Sequence, residues 1–323
     1  MINPQADAVI AATTDAYDDR DDTVYSKVTF WTRLRRHKLA VAGIVVLALI
    51  ALCAILAPVL SPFDPNAIDN GTAAIPHWNG TPLPPCFQDA HLCWGHPLGT
   101  DAVGRDLLSR LLFGARISLQ IGIFTVLFEV IIGVIVGSFA GYYGGWVDWV
   151  MMRITDVFLS IPLLPLLLVL TAIVAASSNK AALSFWVIVL IIGALSWPTV
   201  ARLVRASYLV LREREFAEAA RAVGNGDLRI IFRHLLPNAV APIVVQATLD
   251  VANVIVLEST LSYLGFGIQP PTASWGNMLS DAQANLQIAW WAAVFPGLCI
   301  LFTVLSINFI GDGLRDALDP NMK

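Results

Sequence analysis

Four side chains within the apolar segment Ala239–Gly265 can do chemistry: Gln246, Asp250, Asn253 and Thr260. Their spacing of 4, 7 and 14 residues from Gln246 puts them on one face of a helix. In lipid such a stripe must face protein or water. It can line a route for polar solutes or hydrogen-bond neighbouring helices, and both readings stand. Glu258 lies off that face, near an outer gate or paired within a helix bundle. Glu129 is another carboxylate inside an apolar segment, sharing a helical face with Ser118, Gly122 and Thr125. Gly133, Gly137 and Gly141 follow at four-residue steps, a spacing that suits tight helix packing. Glu129, Gln246, Asp250, Asn253 and Glu258 are the candidates for a translocation path.

Cys86 and Cys93 sit in a Pro-rich and aromatic-rich stretch, with His91 and His96 beside them as Cys-x4-His-x-Cys-x2-His. A disulfide closing a short loop is the preferred reading, because the topology below places this stretch in an oxidising compartment. Free thiols and a metal site are the alternatives. The spacing matches no standard zinc pattern, so no metal is expected. Cys53 and Cys299 fall in apolar spans and read as buried packing residues.

Three carboxylates in apolar runs need a scaffold that tolerates them. The chain of 323 residues is 57% hydrophobic and 14% charged, with a mean hydropathy of +0.69. A soluble domain carries about 25% charge. Long runs without charge are segments solvated by lipid. Six spans follow: Leu39–Phe63, Ile117–Tyr142, Val157–Ala176, Leu183–Ala201, Ala239–Gly265 and Ile288–Ile310. Pro162 and Pro165 near the start of the third are read as first-turn prolines. The fold class is therefore an all-α membrane protein. No broken helix and no inverted repeat is read from the pattern.

Orientation follows from Lys and Arg. With six spans and a cytoplasmic N-terminus, sixteen of the twenty fall on the cytoplasmic side. Both termini are expected in the cytoplasm. Residues 1–32 make a cytoplasmic tail whose first 26 residues, with Asp15, Asp18, Asp19, Asp21 and Asp22, read as disordered and not as a signal peptide. Residues 33–63 carry the first span and 64–116 an extracytoplasmic loop ending in an amphipathic helix, which Thr100 or Asp101 can cap and which leads into the second span either as an interfacial helix or as a packed elbow. Residues 117–312 form a five-helix core, and 313–323 return to the cytoplasm.

The cytoplasmic loop 202–237 is the most informative segment. Its first half is built of helix formers, Arg212 to Ala222. Gly224-Asn225-Gly226 has the composition of a helix C-cap and tight turn. Asp227 is expected to cap a second short helix that Pro237 limits. Composition alone leaves two readings: a basic loop obeying charge asymmetry, or a helix–turn–helix that takes force from a neighbouring protein.

Glu218-Ala219-Ala220 followed by Gly224, and then Leu236-Pro237, resembles the EAA loop of ABC-importer permeases. The general motif has an aliphatic residue two before Leu-Pro, and here that place is His234. Arg233-His234-Leu235-Leu236-Pro237-Asn238 instead looks like the form used in the peptide-importer branch. His96-Pro97-Leu98-Gly99-Thr100-Asp101, Leu261-Ser262-Tyr263-Leu264-Gly265-Phe266-Gly267 and Gly311-Asp312-Gly313-Leu314-Arg315-Asp316 resemble other segments of that branch.

The resemblance implies a C-type permease of a dipeptide or oligopeptide importer in the plasma (inner) membrane, pairing with a homologous permease. It also implies two P-loop ATPase subunits, an extracytoplasmic substrate-binding protein, and a coupling loop formed by Glu213, Glu215, Phe216, Glu218, Ala219, Ala220, Gly224 and Asp227. Nickel and glutathione importers share these motifs. None of the four lysines stands in a Gly-x4-Gly-Lys-Ser/Thr arrangement, and neither His-Glu-x-x-His nor Gly-x-Ser-x-Gly occurs. The chain is therefore expected not to be an enzyme and to bind no cofactor, with ATP and Mg used by partners. An ion-coupled secondary transporter relying on Glu129, Asp250 and Glu258 is the rival from another class.

Overall fold

The computed structural model describes residues 34–35, 37–61, 63–67, 81–88, 95–176 and 185–318. The tail 1–32, His91, Cys93 and Lys180 lie outside them. Among the described residues the chain is helical, with one isolated bridge between Thr100 and Asp106.

The principal helices are α1 (Lys38–Ile55), α2 (Leu107–Tyr143), α3 (Gly145–Ser160), α4 (Leu163–Ala176), α5 (Phe185–Leu211), α6 (Glu215–Ala222), α7 (Asp227–Tyr263), α8 (Trp275–Ala282) and α9 (Trp291–Leu318). Five of them, α1, α2, α5, α7 and α9, are long and apolar enough to cross a membrane. The protein is multi-pass. Much of the apolar surface stays uncovered, as Leu49, Leu52 and Ile55 of α1 do, which lipid solvates at no cost.

The third span is not the straight helix Val157–Ala176 that the sequence suggests. Helices α3 and α4 meet at an 83° bend. Pro162 supplies no N–H to the preceding turn and forces Ile161 into an extended conformation, φ −92° and ψ 128°. The proline breaks the helix instead of opening it. Only Pro165 lies in the first turn of α4.

Small residues draw the long helices together. The Gly133, Gly137 and Gly141 stripe of α2 lies against Val200, Ala201 and Tyr208 of α5. A Cβ built on Gly133 would stand 2.6 Å from the Val200 Cβ, and one on Gly141 2.6 Å from that of Tyr208. No larger residue fits at this approach. Gly43 does the same for α1 against Ser306 of α9.

Residues 107–116 are not a separate interfacial helix: α2 is continuous over 37 residues. Its cap is Asp106, whose carboxylate accepts the Ser109 N–H at 2.7 Å, and not Thr100 or Asp101. Asp101 instead closes the preceding turn by accepting the N–H groups of Val103 and Arg105. Buried Arg110 completes an ion cluster at this end, with Arg105 Nε donating to Asp101 at 2.6 Å and Arg105 Nη2 to Asp281 at 2.8 Å. Helix α8 starts in a capping box between Ser274 and Asn277. Its buried Trp275 donates from the indole to the Leu111 carbonyl at 3.2 Å.

Candidate functional site

At the opposite end of the bundle the segment between α5 and α7 folds back as α6. Ala217 and Ala220 turn inward onto Tyr208, Ile230, Ile231 and Leu235. Small side chains at these two places let α6 lie close to the ends of the spans. The other face points away from the bundle and carries Glu215, Phe216, Glu218, Ala219 and Val223. Phe216 is 38% exposed, Val223 83% and Leu228 58%, so apolar groups flank the Glu218 carboxylate. Ala220 is thus removed from the candidate contact surface and serves the inner packing instead.

Gly224 ends α6 in the left-handed region, φ +83°. Its N–H donates to the Arg221 carbonyl at 2.9 Å, and that of Asn225 to Ala220 at 3.2 Å, the paired bonds of a Schellman turn. A Cβ at Gly224 would meet nothing within 4 Å. Backbone conformation, not crowding within the chain, requires glycine here, and the surface above it is open.

Arg212, Arg221 and Asp227 staple this segment to α2. Arg212 donates from Nη1 to the carbonyls of Gly141 and Tyr142, at 3.2 and 3.3 Å, where α2 exposes its negative end. The Tyr142 hydroxyl donates to Asp227 at 2.8 Å, and Arg221 stacks over the Tyr142 ring. Tyr208, fully buried, donates to the Ile231 carbonyl at 3.1 Å. Glu213 accepts from Arg212 Nε at 3.0 Å. Sequence reasoning missed Tyr142 and Tyr208, and read Arg212 as surface charge for a partner or lipid headgroups; the one signal was the tyrosine that ends the apolar run Ile117–Tyr142.

Asp227 is not a cap. It is the first residue of α7, whose cap is Gly226, and its side chain serves Tyr142. Nor does Pro237 limit a second short helix. Residues Ile230–Leu235 form a π-helical turn, and the Leu236 N–H reaches back to Ile231. Widening at that turn removes the demand for an N–H at Pro237, which sits in the first turn of the regular helix that follows.

The second locus lies midway along the spans. A cavity of about 480 Å³ opens beside the α3–α4 bend, lined by Glu129, Asp250, Asn253, Ser196, Thr199 and apolar groups including Phe158 and Pro162. Glu129 from α2 and Asp250 from α7 are brought together in its lining. Asp250 is held by its own helix: Gln246 Nε2 donates to its two oxygens at 3.0 and 3.1 Å, and Asn253 Nδ2 approaches to 3.5 Å.

Thr260 does not join the stripe, for its hydroxyl donates to the Val256 carbonyl on an exposed side. Glu258, fully buried, accepts from the Ser262 hydroxyl at 2.7 Å near the α7–α8 junction and takes no part in the cavity. Cys86 is disulfide-bonded, Cys53 and Cys299 are free thiols, and Cys93 lies outside the described residues. No group of three or more His, Cys, Asp and Glu is placed to hold a metal among the described residues.

A bundle of membrane-crossing helices with an exposed helical loop at one end and a polar cavity in mid-span is the architecture of a transport permease. Residues 133–323 match the family of binding-protein-dependent transport system inner membrane components, and residues 28–85 match the N-terminal TM domain of oligopeptide transport permease C. The chain belongs to this family.

It is 46% identical to the dipeptide transport system permease protein DppC of Escherichia coli K12, over 91% of this chain and 93% of that one. To the protein of the same name from Alkalihalophilus pseudofirmus it is 40% identical, over 93% and 92%. The fold is similar to a chain of the inward-facing MetNI methionine ABC transporter, with a TM-score of 0.53 and 20% identity, covering 65% of this chain and 97% of that chain. The chain is thus a multi-pass membrane permease subunit.

Proposed function

We propose that this permease imports short peptides, dipeptides or oligopeptides, as one of two homologous membrane subunits in an ATP-driven importer. The observation that carries the reading is the outward face of α6. Glu218, Phe216 and Val223 stand clear of the bundle on a helix pinned from below, a shape that fits a groove on a P-loop ATPase. Two such ATPases use ATP and Mg on their own chains, and an extracytoplasmic binding protein delivers the peptide. Both termini lie in the cytoplasm, with the protein in the plasma (inner) membrane. Closure of the ATPases pushes on α6, tilts α5 and α7, and alternates access to the mid-span cavity. The peptide substrate is supported by the likeness to dipeptide permeases.

The test is to purify the assembled complex, reconstitute it with the binding protein, and measure ATP-dependent uptake of radiolabelled dialanine against nickel and glutathione. Uptake of dialanine that needs ATP supports the proposal. Uptake of nickel or glutathione alone would move the substrate, and uptake driven by an ion gradient without ATP would overturn it.

A further inference from the structure

The carboxyl group of Glu129 is buried, only 2% of the residue being exposed, and its Oε2 has no hydrogen-bond partner among the described residues. It belongs to the lining of the mid-span cavity, where Asp250 is its neighbour. Two carboxyl groups side by side do not both stay ionised unless a cation joins them; without one, the pair keeps a proton. No Lys, Arg or His lines this cavity, and neither carboxylate forms an ion pair among the described residues. Gln246 and Asn253 orient Asp250 but are neutral. A cation entering the cavity would take the place of that proton and meet two carboxylates.

Geometry narrows what supplies the other half. Hard divalent cations take six or more oxygens, whereas the cavity offers two carboxylates among mostly apolar walls. A primary ammonium needs three acceptors at most. Its attached carbon chain can occupy the apolar part beside Phe158, Pro162 and Leu163. A volume of about 480 Å³ falls in the range of small-molecule sites.

We propose that this cavity is a subsite for a protonated primary amine, the free N-terminal ammonium of the transported peptide, held by Glu129 and Asp250. This rests on the peptide-import reading above and adds to it a reason for selection within the membrane. Gln246 and Asn253 are positioning residues for Asp250. A peptide whose amine is acylated loses the charge and carries extra bulk, so it does not satisfy the pair.

The test uses the intact importer in nanodiscs without its binding protein, so that the permease alone discriminates. Glu129 is labelled with a hydrophobic carbodiimide and the adduct is read by mass spectrometry. Dialanine at saturating concentration is expected to suppress labelling, while N-acetyl-dialanine and sodium chloride do not. Equal protection by both peptides, by neither, or by sodium chloride overturns the subsite.

Uptake by the complete importer supplies a second measurement. Glu129→Gln is expected to lower dialanine uptake about tenfold, the loss of one charged hydrogen bond, with partial rescue by Glu129→Asp. Unchanged uptake in Glu129→Gln also overturns it. If the wild-type importer takes up no peptide at all, the peptide reading fails. If it does, but Glu129 shows no preference for a free amine, the subsite alone fails.

Discussion

The hydroxyl of Tyr208, at the far end of α5, donates to the carbonyl of Ile231 inside the π-helical turn of α7, 3.1 Å away. One bond therefore joins the end of one span to the start of the next, directly under α6. Tyr208→Phe keeps the packing and leaves that bond unmade. Stability of the purified complex is expected to fall by about 1 kcal/mol, measured by thermal unfolding, while ATP consumed per peptide imported rises. An unchanged ratio would show that this bond does not take part in coupling.

Glu218 is exposed and makes no ion pair among the described residues, so Glu218→Arg should leave the bundle intact. The ATPase subunits should no longer co-purify with the variant. Retention of stoichiometric ATPase on Glu218→Arg would remove α6 from the docking surface.

Gly224→Val acts differently, by forcing a β-branched residue into the left-handed region at a cost of about 1–2 kcal/mol. Loss of the Schellman turn should weaken ATPase binding while the spans keep their thermal stability. Circular dichroism and pull-down on the same preparation separate the two effects.

Arg105 and Arg110 depend on Asp101 and Asp281 for neutralisation. Asp101→Ala strands two buried guanidinium groups and is expected to cost about 3–5 kcal/mol. It should show as reduced membrane abundance. Normal levels and an unchanged melting temperature would mean water reaches the cluster.

Cys86 is disulfide-bonded, and Cys93 is the partner expected from the sequence. Digestion without reductant should release a linked fragment carrying Cys86 and Cys93 that dithiothreitol separates. Direct alkylation of Cys86 in unreduced protein would sink the pairing.

The spans were legible because a charge in lipid costs several kcal/mol, so gaps between charges mark them directly. The glycine stripe on α2 was legible for a similar reason: a four-residue repeat of the smallest residue has one use in a helix. Prolines were harder. Pro162 breaks a helix and Pro237 is absorbed by a π turn, yet both stand near the start of an apolar run. What separates them is the backbone around each, which composition does not carry.

Caps failed for another reason. Thr100, Asp101 and Asp106 can all accept an N–H, and only the bridge between Thr100 and Asp106 decides which one faces the helix.

The mid-span cavity was half legible. Helical spacing placed Gln246, Asp250 and Asn253 together, because they share one element. That Glu129 meets Asp250 is a tertiary fact, set by how α2 and α7 cross. Glu258 looked similar in sequence, but serines of α7 and the start of α8 surround it. An acidic residue within an apolar run thus indicated burial and not its use.

Helix α7 runs from Asp227 beside α6 to Tyr263 at the other end of the bundle, a rod of about 55 Å at 1.5 Å per residue. A swing of about 5° at one end moves the other by about 5 Å over that length. The far end is tied to the loop that follows it, since the Ser262 hydroxyl, which donates to Glu258, accepts the Ile268 N–H at 3.0 Å. Movement at either end of this one stiff member is thus felt at the other, and Asp250, near its middle, travels about half as far as the moving end.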